Sequence, residues 1–195
     1  MKNDAYMQWP KSWARTLDPA TITNLHEIFR PQVFKKDAFF LQSGDPSTKI
    51  GVILSGAFRS FTTDKEGNEV TKYFYRQDEV LVSYYAYLSQ AVSGYSIQAI
   101  EDSQVLITSL HQFEKMVKGN YPLLLFYKKT LDAMLIKKER HASSFTLLNG
   151  TERYQQFLAN YPDLEACIKH YQLASYLGMT PVTLSRIRKK LNLIK

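Results

Sequence analysis

The chain has 195 residues, 45% of them hydrophobic and 22% charged, with a formal net charge of +7, enough for one good core or for one core plus a small satellite domain. Its single cysteine, Cys167, excludes an internal disulfide, and the longest apolar runs fall far short of the roughly 20 residues that a bilayer span needs. No membrane association is expected, and the cytoplasm is the expected compartment.

The first segment, "MKNDAYMQWPKSWARTL", has an early lysine but no apolar stretch like that of a secretory signal, and its two tryptophans and proline suggest a packed or capping segment. From Val33 to Ser109 the chain reads as short strands, "IGVIL", "AFRSFTT", "EVTKYFYR", "GYSIQAI" and "SQVLIT". Turn signals separate them at Gly44 to Pro46, at Ser55–Gly56 and at Asp64 to Asn68. This spacing suits a closed antiparallel β-roll or jelly roll.

Residues 121 to 150 contain no glycine and, past Pro122, no proline until Gly150, so a long helix is expected. Leu124, Tyr127, Leu131, Met134, Lys138, His141, Phe145 and Leu148 follow a 3-then-4 spacing, the seam of a two-stranded parallel coiled coil. Dimerisation through that seam is expected; the other use of such a stripe is packing on the chain's own β-roll. After Gly150, "TERYQQFLAN" reads as a helix stopped at Tyr161–Pro162, with Tyr154, Phe157 and Leu158 as its core.

The chain ends in its one acid-free basic segment. Lys169, Arg186, Arg188, Lys189, Lys190 and Lys195 stand there without an Asp or Glu, while the preceding residues hold 19 basic side chains against 18 acidic ones. Such a positive cap attracts a polyanion, nucleic acid first, although charge alone fits a solvated basic tail equally well. Its apolar spacing decides between the two. Leu173, Ala174 and Leu177 share one helical face, and Leu184, Ile187 and Leu191 share another. Between them Gly178 supplies a left-handed C-terminal cap, and Thr180 with Pro181 supplies an N-cap and first-turn residue. This is the helix-turn-helix pattern. With Leu184 inward, Val182, Ser185, Arg186 and Lys189 point outward, flanked by Thr183 and Lys190. Arg186 suits guanine O6 and N7, Val182 a thymine methyl, and Lys189 and Lys190 phosphates. Arg188 falls nearer the core side, where its stem reaches to the backbone or an acidic neighbour.

"LASYLGMTPVTLSRIRKKL" resembles the C-terminal helix-turn-helix of the CRP/FNR superfamily of bacterial transcription regulators. Residues 40 to 61 and 99 to 107 resemble opening and closing strands of its cyclic-nucleotide-binding β-roll. The resemblance implies an α+β chain: a roll with an N-terminal helix (1–120), a long dimerisation helix (121–149) and a DNA-binding unit (150–195). It implies double-stranded DNA and a second copy of the chain as partners, with RNA polymerase and a small-molecule effector as further expected ones. The DNA-binding set is then Thr180, Pro181, Val182, Thr183, Ser185, Arg186, Arg188, Lys189 and Lys190.

In nucleotide-binding members a glutamate takes the ribose hydroxyl and an arginine the cyclic phosphate. Ser83 and Ser93 stand at those positions here, so cyclic AMP is not the expected effector. Val82, Ser83, Tyr84, Tyr85, Ser93 and Tyr95 mark the corresponding pocket; its tyrosines either line an apolar cavity or fill the nucleotide's space. The family's β-hairpin wing has only "NLIK" to form from, so no wing contact to phosphates is expected. His26, His111, His141 and His170 show no metal-ligand spacing, so no cofactor is expected. No nucleophile or acid–base arrangement suggests an enzyme. The rival to a DNA-binding regulator is a ligand-sensing or interaction module that no longer binds DNA.

Overall fold

Asp18 accepts the Thr21 amide at 2.9 Å and so starts a helix at the proline that follows it. A computed structural model describes residues 9–191. In it two helices, α1 (Lys11–Thr16) and α2 (Pro19–Ile28), precede the strands. Eight strands follow: β1 (Arg30–Phe34), β2 (Phe39–Leu41), β3 (Lys49–Ser55), β4 (Phe58–Thr63), β5 (Glu69–Tyr75), β6 (Val80–Leu81), β7 (Ser96–Ala99) and β8 (Ser103–Ser109). A short helix, α3 (Tyr84–Leu88), sits between β6 and β7.

The strands form two antiparallel four-stranded sheets, ordered β1-β8-β3-β6 and β2-β7-β4-β5. All five strand runs expected from alternation are present. Gly56 has φ +87° between β3 and β4, where an added Cβ would lie 2.7 Å from the Ser103 Cα, so no side chain fits that turn. The turn from Asp64 to Asn68 is tied by the Asp64 carboxylate, which accepts the amides of Glu66 and Asn68 at 3.0 and 2.8 Å. Phe34, Ile53, Phe58, Leu81, Ile97 and Val105 fill the space between the sheets.

A second apolar layer covers the outer side of the first sheet, where Ile50, Val52, Val80 and Leu106 meet Trp13, Leu25, Phe29, Phe113 and Tyr127 of the helices. Helix α4 (Leu110–Lys118) leads into α5 (Tyr121–Leu147), 27 residues or about 40 Å long. Asn120 caps α5 on the Leu123 amide at 2.9 Å and donates its amide to Thr21 at 2.9 Å, which locks the start of α5 to α2. The long helix stops at Leu147 because Asn149 and Glu152 form a capping box that starts α6 (Gly150–Asn160). Helices α7 (His170–Tyr176) and α8 (Pro181–Lys190) complete the described chain. Residues 192–195, on which the expectation of a missing wing falls, lie outside the described residues.

The expected coiled-coil seam needs correction. Tyr127 is buried in the roll-side layer, and Leu131 and Met134 pack against it. His141 stacks on Tyr176 with ring centroids 4.3 Å apart. Leu148 is half-buried, and Phe145 is 45% exposed but lies against Gly178, where an added Cβ would come to 2.5 Å from its ring. Of the named seam's apolar residues, Leu124 alone stands well exposed and away from these contacts, and Lys138 is exposed beside the Tyr73 ring. The stripe therefore serves the chain's own roll and C-terminal unit. The outward apolar residues of α5 are others, Leu125, Leu135, Ile136 and Leu147.

Candidate nucleic-acid interface

Two short helices cannot hold a fixed angle by themselves, so the geometry of α7 and α8 depends on what they share. Leu173, Ala174 and Leu177 pack with Leu184 and Ile187 over Tyr154 and Phe157 of α6. Gly178 takes φ +64° directly after the α7 cap, and the Met179 amide returns to the Ala174 carbonyl at 3.0 Å. Thr180 accepts the Thr183 amide at 3.1 Å, and Pro181 occupies the first turn of α8. The turn is thus closed by local groups read directly from the sequence.

This placement leaves Pro181, Val182, Thr183, Ser185, Arg186, Lys189 and Lys190 exposed, with Thr180 at the cap. Val182 is 60% exposed, an apolar group on a cationic face. Arg186, Lys189 and Lys190 make no ion pair among the described residues. Uncompensated cations beside a methyl-bearing residue are what a major-groove surface requires.

Arg188 does not belong to that surface. Its Nη2 pairs with Glu165 at 2.6 Å, its Nε donates to the Tyr154 hydroxyl at 3.2 Å, and its Nη1 lies 2.9 Å from His170 Nδ1. His170 Nε2 lies 2.8 Å from the Pro181 carbonyl, which can only accept, so Nε2 donates there and Nδ1 accepts from Arg188. Arg188 is therefore withdrawn from the DNA-contacting set; as the wheel indicates, it reaches an acidic neighbour. Burial and the adjacent Glu165 carboxylate raise the Tyr154 phenol above its ordinary value.

In the effector region Ser83 and Ser93 are both buried, with hydroxyls 3.2 Å apart. Ser93 also donates to the Tyr95 carbonyl at 2.7 Å, and the Ser83 amide donates to Ser47 at 3.1 Å. Tyr95 reaches the Val82 carbonyl at 3.3 Å. These groups satisfy one another and bring no cation to an incoming phosphate. Val82 is buried in the helix-side layer, and Tyr84 packs at its edge. Tyr85 is 76% exposed and is no pocket wall, because α3 turns its ring to solvent.

The sequence gives no signal for how the C-terminal unit meets the roll. The Ser175 hydroxyl accepts the Thr71 amide of β5 at 3.1 Å, Tyr171 donates to Glu69 at 3.2 Å, and Phe74 meets Tyr176 at 5.0 Å between centroids. Strand β5 is the outer strand of its sheet, and α7 covers its open edge. Glu69 also pairs with Arg59, 2% exposed, so the contact runs from inside the sheet to α7.

Residues 31–120 match the family model of the cyclic nucleotide-binding domain. Among curated proteins none matches this sequence. Among solved structures, FixK2 from Bradyrhizobium japonicum superposes with TM-score 0.73 at 18% identity, covering 85% of each chain. The c-di-GMP responsive global regulator CLP of Xanthomonas campestris gives 0.71 at 17% identity over 90% of this chain and 92% of that one. A protein from Eubacterium rectale assigned to the crp/fnr family of transcriptional regulators gives 0.70 at 16% over 93% and 86%. Residues of the β-roll thus resemble a cyclic nucleotide-binding domain, and the chain as a whole shares the fold of these solved structures, an antiparallel roll, a long helix and a C-terminal helical unit.

Proposed function

We propose that the protein is a sequence-specific DNA-binding transcription regulator of the CRP/FNR type that acts as a homodimer and does not respond to cyclic AMP. The observation that carries this reading is the exposed face of α8, where Val182, Ser185, Arg186 and Lys189 point out while Arg188 is held inward by Glu165. The shared fold supports it. Two copies related by a two-fold axis would set two α8 helices into successive major grooves about 34 Å apart, on a near-palindromic site. RNA polymerase is the expected partner at such a site.

The exposed residues Leu125, Leu135 and Ile136 of α5 support self-association, being apolar groups that the chain's own roll does not cover. The serine pair supports the absence of a cyclic AMP response, since a buried phosphate there would have no cation and would lose charge-assisted bonds worth roughly 1.5–3 kcal/mol each. Calorimetric titration with cyclic AMP is expected to show no micromolar binding; micromolar affinity would overturn that part of the reading.

Selection of bound duplexes from a random DNA pool tests the main reading. A recovered inverted repeat, bound with an affinity that falls steeply as salt rises, is the expected result. Recovery of no common sequence, with affinity indifferent to salt, would leave instead a sensing or interaction module without DNA.

A further inference from the structure

Beside α5, away from the paired serines, a groove of about 290 Å³ opens between α1, strand β5 and the turn before β6. Trp13 and Phe126 wall one end, Tyr73 and Tyr75 the other, with Met134 between. From Phe126 to Lys138 the helix rises about 18 Å, room for a compound of two or three rings.

Its polar groups are few and incompletely matched. Lys137 and Glu79 neutralise each other at 2.8 Å. Lys129 and Lys138 also line the groove, and neither has a carboxylate partner among the described residues. Lys138 Nζ lies 5.8 Å from the Tyr73 ring centre. Asp78, held at φ +71° in the turn before β6, has a buried Oδ1 with no hydrogen-bond partner. The wall thus carries three cations against two carboxylates.

We propose that this groove binds a small aromatic anion. Its rings lie between the Trp13–Phe126 end and Tyr73, and its anionic group meets Lys138. The site is separate from the Ser83–Ser93 position and does not depend on DNA recognition.

The test uses the full chain and 8-anilinonaphthalene-1-sulfonate, a two-ring-system anion with one N–H. Saturable binding of one molecule per chain is expected, with energy transfer from Trp13, which walls the groove and stacks on Trp9 at 5.5 Å. Ala133→Trp, which fills the groove, and Lys138→Glu, an exposed change that leaves the core intact, should each weaken binding by about tenfold or more. Tyr85→Ala, on the exposed face of α3, should not change it. Absence of binding, absence of transfer, or wild-type affinity in Lys138→Glu overturns the site.

Discussion

Arg186 and Arg188 stand two residues apart on α8 and take opposite sides of it. The difference is angular: 200° of helical rotation separates them at 100° per residue, so one faces solvent and the other faces α6. Arg188→Ala should lower stability by about 2 kcal/mol, because it leaves Glu165 without its cation and the His170 ring without its donor. Chemical denaturation measures this, and an unchanged midpoint would contradict the role. Arg188→Lys should recover part of the loss, since a lysine cannot make the three-way fork.

His141 provides a second residue-scale test. Burial, then the neighbouring Lys137 and Arg153 charges, push its imidazole from 6.5 to about 4. The folded state therefore holds it neutral where the unfolded chain binds a proton. Its contribution is fully present above pH 6.5 and is lost as pH falls from there through about 4. Replacing it as His141→Phe keeps an aromatic ring on Tyr176 and removes the titration. The melting temperature of this variant should fall less than that of the wild type between pH 6.5 and 4; parallel curves would contradict the assignment.

At the scale of elements, α5 has two uses. Its inner face packs on the roll through Leu123, Tyr127 and Leu131, and its outer face carries Leu125, Leu135 and Ile136. Leu135→Glu places a charge on that outer face without touching the core. Light scattering should then find a larger monomer fraction than for the wild type at the same micromolar concentration, and an unchanged mass would argue against self-association through α5. The 3-then-4 period on the sequence marks an apolar face truly but does not say whose surface covers it, which is why Tyr127 and Met134 read as a seam. Caps are more legible, because Gly178, Thr180 and Pro181 act within four residues of themselves. Strands β3, β4, β5, β7 and β8 were legible from alternation and bounding turns. Strand β1 was not, because Pro31 and three further exposed positions hide an edge strand whose ladder lies on distant β8. Two-residue β6 is too short to carry a period.

Across the whole molecule, the roll and the α7–α8 unit are joined twice, along the chain by α5 and across space by α7 on β5. None of the spatial contact is local: Ser175 meets Thr71 across 104 residues, a separation that no sequence pattern records. A ligand that alters the roll can shift α8 only if it binds two arrangements of this contact unequally. Such coupling has meaning only if α8 reads DNA, and Arg186 is the residue on which that claim concentrates. The most direct measurement is the affinity of wild-type protein and Arg186→Ala for the same selected duplex at fixed salt. A loss of about 1–3 kcal/mol with an unchanged melting temperature is expected if Arg186 reads a base; equal affinity of the two proteins would rule that role out.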